Sequence, residues 1–395
     1  MPTAIISASQ TMTFSIINSE LSGKIAMVQK VINSKNVLPI LDNIIFTVRE
    51  GFLYLTASDS ENTLSTRVAL PDVEGEVSFG VNSRNIAEAV KNIASEAELT
   101  FEVDVTGARV LKVTYPNGMF SLPVEDAGDF PAHPGLNSDI ITCFTVTDSI
   151  LAANIGRTLF ATAQDELRPV MNGIFFDLTE DCLAVVASDG HQLVRNKIFS
   201  IKAGKAQNGT VKGGSFILPK KPAGVLKNIL TKAGTEVTVT FDDRNLEITS
   251  ENFTLFARQI EGRYPNYNSV IPQSNPNIVT VNRLDMIAAL KRISPFSSTA
   301  SNLIRMGVEK DALQLDAEDY DFSKTASERV TCDYDGTPMR IGFKGVSVIE
   351  LLDNISCEQV VAQLADPSRA GLFLPSEQPE DEEILMLLMP MLIND

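Results

Sequence analysis

Apolar positions along the chain fall into two alternating periods. Leu21, Ile25, Val28 and Ile32 lie at helical spacing in a window near Ser19 to Val31. Ile150, Leu151, Ile155 and Leu159 do the same from Asp148 to Gln164, and Leu284, Ile287, Leu290 and Ile293 from Arg283 to Ile293. Each window predicts an amphipathic helix. Short segments of period two follow, including Asn43-Ile44-Ile45-Phe46, Asn172-Gly173-Ile174-Phe175 and Arg305-Met306-Gly307-Val308, and these predict strands. A second helix comes next in each case, marked by Val90-Lys91-Asn92-Ile93, Leu226-Lys227-Asn228-Ile229 and Leu352-Asp353-Asn354-Ile355. Two further strands are expected to close each unit.

The order repeats because the sequence repeats. Leu53-Tyr54-Leu55-Thr56-Ala57-Ser58-Asp59 returns as Leu183-Ala184-Val185-Val186-Ala187-Ser188-Asp189 and, more worn, as Leu313-Gln314-Leu315-Asp316-Ala317-Glu318-Asp319, so the three aspartates are each 130 residues apart. Fixed-period self-similarity constrains architecture more than local propensity does. A unit of two helices and many short strands, written three times, predicts an α+β protein of three domains. Unit ends also echo: Gly128-Asp129-Phe130-Pro131 pairs with Gly262-Arg263-Tyr264-Pro265, each leading into a Pro/Asn/Ser-rich stretch, at about Ala132 to Ile140 and Asn266 to Asn277, that reads as a linker. The expected divisions are an extension over 1–11 and domains over 12–133, 142–265 and 277–395.

Composition narrows the class. A chain of 395 residues is too long for one ordinary core. No apolar run approaches the roughly 18 to 20 residues of a membrane span, and Met1 to Thr11 lacks the basic and apolar regions of a secretory signal. The expectation is a cytoplasmic protein with no membrane association. Cys143, Cys182, Cys332 and Cys357 share no ligand spacing and read as reduced, mostly buried thiols. The two histidines, His133 and His191, are too few for a histidine-rich metal centre, so no metal or cofactor is expected.

The net charge of −17 argues against nucleic acid unless positive charge is segregated. It is segregated. The six helix windows, 19–36, 82–95, 148–165, 219–234, 282–299 and 345–356, carry +6 over 96 residues, which leaves −23 on the other 299. The cations concerned are Lys24, Lys30, Lys35, Arg84, Lys91, Arg157, Lys220, Lys221, Lys227, Lys232, Lys291 and Arg292. No aromatic residues interleave with them, as a single-strand stacking platform would need. No helix carries a dense run of Arg, Asn and Gln for reading base edges. What these residues offer is sequence-independent attraction to phosphate.

From Met12 onward, through all three repeats, the chain resembles the bacterial sliding clamp, the beta subunit of DNA polymerase III. The matching phrases are Leu38-Pro39-Ile40-Leu41 with Asn43, Asn172-Gly173 with Ser188-Asp189-Gly190-His191-Gln192-Leu193, Gly262-Arg263-Tyr264-Pro265 with Val270-Ile271-Pro272, and Met389-Pro390-Met391. The resemblance implies the DNA-clamp fold, each domain having two helices packed on antiparallel sheets. It also implies a closed ring of two chains joined head to tail, with the helices lining the hole and facing duplex DNA. Expected partners are double-stranded DNA, the replicative polymerase's catalytic subunit, the clamp loader, and other polymerases and repair proteins that carry clamp-binding peptides.

Family clamps hold those peptides between the second and third domains. The matching positions here are Met171, Ser188, Gly190, His191, Leu193, Pro265, Val270, Leu387, Met389, Pro390 and Met391. Met and Leu make a deformable apolar site that several partners can share. The pattern departs from the family where basic residues are common, at Gln192, Ser269 and Leu392. For the DNA face, Lys35 falls where the family commonly has a basic loop residue. Phe120 and Phe296 match apolar positions on opposite patches of the dimer seam. Plainer readings of the same residues are a turn histidine at His191, a turn signal at Ser188-Asp189 and core methionines at the C-terminal strand.

Two other classes compete. A hydrolase using Asp189 and His191 has no second histidine nearby, and the chain contains no GxSxG, HExxH or P-loop. A scaffold that binds peptides but not DNA is separated from a clamp by the cations Lys220, Lys221 and Lys227.

Overall fold

The computed structural model describes residues 11–71, 73–137, 141–205, 211–231 and 233–393. Residues 1–10 of the expected extension lie outside them, and Thr11 already opens the first strand. The first repeat runs β1 (Thr11–Ile17), α1 (Asn18–Val28), β2 (Asn43–Arg49), β3 (Phe52–Ser58), β4 (Asn62–Ala69), β5 (Val77–Asn82), α2 (Ser83–Lys91), β6 (Glu98–Asp104), β7 (Val110–Tyr115) and β8 (Gly118–Pro123), followed by a two-residue β9 (Glu125–Asp126). The second has β10 (Thr142–Thr147), α3 (Asp148–Thr158), β11 (Gly173–Leu178), β12 (Leu183–Ser188) and β13 (Gln192–Ile198). A small hairpin, β14 (Gly204–Lys205) with β15 (Val211–Lys212), is inserted before β16 (Gly214–Pro219), α4 (Lys220–Ile229), β17 (Glu236–Phe241), β18 (Asn245–Ser250) and β19 (Thr254–Arg258). The third has β20 (Asn277–Asn282), α5 (Arg283–Ile293), β21 (Leu303–Glu309), β22 (Ala312–Asp319), β23 (Lys324–Asp333), β24 (Met339–Lys344), α6 (Gly345–Asp353), β25 (Gln359–Leu364), β26 (Gly371–Pro375) and β27 (Glu382–Leu388). Insertions aside, each repeat is one strand, a helix, four strands, a helix and three strands; the helix order is the one the periodicity predicts, and each unit closes on three strands where two were expected.

Two helices, α2 and α5, begin where a strand ends on an asparagine. The Asn82 side chain accepts from Asn85 N at 3.2 Å, and that of Asn282 from Leu284 N and Asp285 N, which satisfies amides that the first helical turn leaves free. Buried Asn18 donates to the carbonyls of Val90 and Ile93, so the start of α1 is fastened to the end of α2. The first helix of each repeat closes in a 3-10 turn, at Gln29–Val31, Leu159–Ala161 and Ser294–Phe296.

By compactness the chain divides into two units, Met1–Asp148 with Ala233–Arg258, and Ser149–Lys232 with Gln259–Asp395. In the first, β1-β6-β7-β8 form one sheet and β10-β17-β18-β19-β4-β3-β2-β5-β9 another. The last strand of the second repeat thus pairs with the fourth strand of the first, with Leu255 opposite Leu64 and Ala257 opposite Asn62. The core of this unit alternates as period-two strands require: Leu99, Phe101 and Val103 on β6 are fully buried, with polar residues between them. Phe14 stacks on Phe101 at 4.9 Å and Phe46 on Phe79 at 5.4 Å.

In the second unit the sheet order is β16-β11-β12-β13-β27-β26-β25-β20-β23-β22-β21-β24. Here the last strand of the third repeat pairs with the fourth of the second, from Gln192 opposite Leu388 to Ile198 opposite Glu382. The middle third of the sequence is therefore shared between two compact bodies, because each of its two sheet halves continues the sheet of a neighbouring repeat. β12 is buried at all six positions. One of its faces meets the helical core, and the other is covered by the segment that follows β19, where Ile260, Tyr264, Tyr267 and Ile271 pack over Ala184, Val186 and Leu387.

Among the described residues no helix is long and apolar enough to cross a membrane. Cys182 and Cys332 are buried, Cys357 is half-buried and Cys143 is exposed, so burial holds for only part of the cysteine set.

Candidate functional site

A cavity of about 250 Å3 opens in the second unit where the covering segment 260–271 meets the turn between β12 and β13. Several local devices build it. Gly173 must be glycine, since a Cβ there would sit 2.5 Å from the carbonyl oxygen of Leu218. Its neighbour Asn172 accepts from Asp165 N and donates to Asp165 O, at 2.9 and 3.0 Å, which shapes the loop carrying Arg168 and Met171. The repeated Ser-Asp is a turn device. Asp189 Oδ1 accepts from the backbone N–H of His191 and Gln192, both at 2.8 Å, and Ser188 Oγ donates to Gln192 O. Ser58 and Asp59 make the same bonds one repeat earlier. Asp189 is thus committed to backbone amides, which removes it as a partner for His191 in hydrolysis. Gly190 takes φ +92°, a conformation that favours glycine. The Arg168 guanidinium packs over it, held by Asp165 at 2.8 Å.

The floor and rim differ in exposure. Met171, Leu193 and Leu387 are buried, whereas Met389 and Val270 on the rim are 41% and 57% exposed. Met389 N donates to His191 O at 2.8 Å, which ties the terminal segment to the turn. Tyr264 stacks on Phe175 at 4.6 Å, and burial raises its hydroxyl pKa. Tyr267 donates to Asp177 Oδ2 at 3.2 Å; burial and that carboxylate push its hydroxyl up to about 12. Burial raises Asp177 above the usual carboxylate range, with the Tyr267 bond opposing. The result is an apolar trough with neutral phenols, two carboxamides (Gln192 and Asn266), the His191 ring and one guanidinium. It suits a short peptide carrying large apolar side chains, and its serine, Ser188, donates to Gln192 O rather than to His191.

Nine of the sequence-predicted pocket residues line this cavity: Met171, Ser188, Gly190, His191, Leu193, Pro265, Val270, Leu387 and Met389. Pro390 and Met391 follow Met389 directly and are half-buried. Met391 bridges Gly342 on β24, its N–H donating to Gly342 O at 2.8 Å. Arg168, Gln192, Tyr264, Asn266 and Tyr267 complete the lining. The repeated Gly-x-[Phe/Tyr]-Pro phrase already pointed to Tyr264, because an aromatic beside a proline at a domain end has to pack somewhere.

The cations predicted to face a polyanion divide by partner. Lys30, Lys35, Arg84, Lys91 and Lys227 are exposed, and Lys220 and Lys221 open α4 partly exposed. Lys24 is half-buried, and desolvation lowers its pKa. Arg157 is a correction: its side chain is 14% exposed and ion-paired to Glu382, so it is occupied within the fold. Lys291 lies 3.7 Å from Asp353, and Arg292 is paired with Glu328, which reduces the free charge on α5. Lys232 lies outside the described residues. At the seam positions, Phe120 sits on β8, which among the described residues pairs only with β7. Phe296 is 40% exposed, on a 3-10 turn that packs against β22 and β23.

Comparison with known proteins covers nearly the whole chain. Family models of the DNA polymerase III beta subunit match in order: the N-terminal domain over 12–134, the central domain over 145–266 and the C-terminal domain over 268–392. Beta sliding clamps of Pseudomonas aeruginosa and Caulobacter vibrioides are each 27% identical, over 96% of this chain and all of theirs. The crystal structure of the P. aeruginosa DNA polymerase sliding clamp with ligand superposes with a TM-score of 0.88 at 25% identity, covering 97% of this chain and 100% of that one. The Thermotoga maritima DNA polymerase III beta subunit shares the fold, with a TM-score of 0.85 at 24% identity, 97% of this chain and 100% of that one being covered. With all three domain models matched in sequence order on a threefold-repeated architecture, this chain belongs to the DNA polymerase III beta subunit family.

Proposed function

We infer that this chain is a DNA sliding clamp: a ring that encircles duplex DNA and tethers the replicative polymerase for processive synthesis. It acts as a processivity factor without catalytic activity of its own. The observation that carries the reading is the strand-pairing rule between repeats. The fourth strand of the first repeat takes the last strand of the second, and the fourth strand of the second takes the last of the third. One last strand, β8, is then left with an open edge among the described residues, and one fourth strand, β23, meets β20 only at Cys332 and Asp333, which leaves residues 324–331 open on that side. Two chains satisfy both edges if they join head to tail, the interface being two different patches that close after two copies. Continuing the register sets the Lys324 end of β23 against the Pro123 end of β8, with Phe120 and Phe296 beside the seam. The domain divisions 12–133, 142–265 and 277–395 follow the same repeat.

In this reading the helix cations Lys30, Arg84, Lys91, Lys220, Lys221 and Lys227 and the loop cation Lys35 face the phosphates. Weak contacts that are equivalent along the duplex permit sliding, and the closed ring prevents escape. A polymerase bound through its peptide in the cavity beside Gly190 is kept at high effective concentration near the primer end. The clamp loader and repair polymerases would use the same cavity. No cofactor enters the scheme, and the protein works in the cytoplasm, where replication takes place.

The test is retention on two DNA topologies. The protein is loaded onto a nicked circle with its clamp loader and ATP, and the circle is then linearised. The expected result is retention on the circle and loss from free ends. Equal retention on both forms would mean ordinary binding and would overturn the ring. Absence from both, with an active loader, would leave a peptide-binding scaffold.

A further inference from the structure

A groove of about 500 Å3 in the first unit lies on the solvent face of β2, β3 and β4 and is bounded by the β18–β19 hairpin. Two arginines stand in it. Arg49 on β2 lies over the Tyr54 ring and Arg67 on β4 over the Phe52 ring, each 4.8 Å from the centroid. Each ring gives its guanidinium a seat on the sheet, and both arginines remain exposed. Hydroxyls surround them: Thr56 and Ser65 share a hydrogen bond at 2.9 Å, and Thr66 Oγ1 donates to Asn252 O, which fixes the hairpin as one wall. Neither arginine makes an ion pair among the described residues. Glu251 contributes a carboxylate to the lining, so the groove keeps a positive balance in a chain of net charge −17.

The threefold repeat supplies an internal control. Lys197 stands 130 residues after Arg67, on the corresponding strand β13, and there the cross-strand neighbour on β27 is Glu383, 3.3 Å away. Continuing the β4–β19 register from Ser65 opposite Thr254 places Asn252 opposite Arg67. The second repeat neutralises its cation with a carboxylate, and the first presents an amide at that position. The architecture therefore does not require the cation to be unpaired; the first repeat leaves it so.

We propose that this groove is a second docking site and that it takes an extended acidic segment of a partner protein, two of whose carboxylates sit on Arg49 and Arg67. Arginine presents a planar fork that matches carboxylate geometry. The two arginines stand two strands apart, on the order of 10 Å between Cα atoms. That spacing suits successive carboxylates on one face of an extended peptide better than the point convergence a single phosphate needs. The backbone amides here are spent on the sheet ladder, so they form no phosphate nest. Both aromatic rings are already covered by guanidiniums, which leaves no platform for a nucleobase.

The test uses the full-length protein and fluorescein-labelled hexaglutamate, read by anisotropy at low salt, with hexaglutamine and inorganic phosphate in parallel. Hexaglutamate should bind saturably and hexaglutamine should not. Arg49→Gln with Arg67→Gln should weaken hexaglutamate by about tenfold or more and leave the melting temperature unchanged, since both side chains are exposed. Lys197→Gln should leave it unaffected. Equal binding by the double variant and the parent would overturn the site. Phosphate binding that depends on both arginines, without saturable hexaglutamate binding, would overturn the acidic-peptide assignment in favour of a small-oxyanion site.

Discussion

Asp177 carries the clearest pH dependence among single residues. Burial raises its pKa in the fold, so the folded chain binds that proton more tightly than the unfolded chain does. Its contribution favours folding at acid pH and is lost as pH rises through the raised value. Asp177→Asn keeps an acceptor for Tyr267 and removes the ionisation. Relative to the parent, the variant should gain thermal stability as pH rises above the ordinary carboxylate value, near 4, and show no gain below it; melting curves on both sides of that value check it. At the cavity rim, Val270 and Met389 are exposed apolar side chains with no core role. Truncating both to alanine removes apolar area that a bound peptide would cover, at roughly 1 to 2 kcal/mol in total. A labelled polymerase peptide should bind about five- to thirtyfold more weakly, with the melting temperature held. An unchanged affinity would place the peptide elsewhere.

At the scale of elements, the open edge of β8 and the open stretch 324–331 of β23 matter most. An unpaired edge is a template for another chain, and the intrachain pairs β4–β19 and β13–β27 show which strand each is suited to accept. Phe120→Asp puts a charge at the middle of β8. Sedimentation should then shift from dimer to monomer at micromolar concentration, with far-ultraviolet circular dichroism preserved. The helices and strands themselves were legible from periodicity: the windows at Ser19, Asp148 and Arg283 all became helices, each tightened into a 3-10 turn at its end. The direction of the chain after Met389 was not legible, because the bridge from Met391 to Gly342 joins residues 49 apart in sequence and leaves no local signal.

For the whole molecule, charge segregation is the property with the most direct consequence. Lys220→Glu, Lys221→Glu and Lys227→Glu together reverse the most basic helix, α4, while Pro222, Ala223, Val225, Leu226 and Ile229 keep it packed. The variant should fold and bind peptide normally, yet lose most of its salt-sensitive retention on circular DNA. If retention at low salt were unchanged, the phosphate-facing surface would lie elsewhere. Arg157 would not add to the effect, because its guanidinium is held by Glu382.

The sequence by itself determined the threefold repeat, the α+β class, the helix and strand order, the Ser-Asp turns and the family, because each is written in local spacing: period 3.6, period two, and phrases returning at 130 residues. Tertiary structure alone decided which strands of one repeat complete the sheet of the next, and so which edges stay open. It also decided which cations are free. Arg157, Arg292 and Lys197 resemble Arg49 and Arg67 as letters. Only packing brings Glu382, Glu328 and Glu383 to the first three and leaves the last two without a carboxylate, because the charge a residue presents depends on neighbours that are distant in sequence.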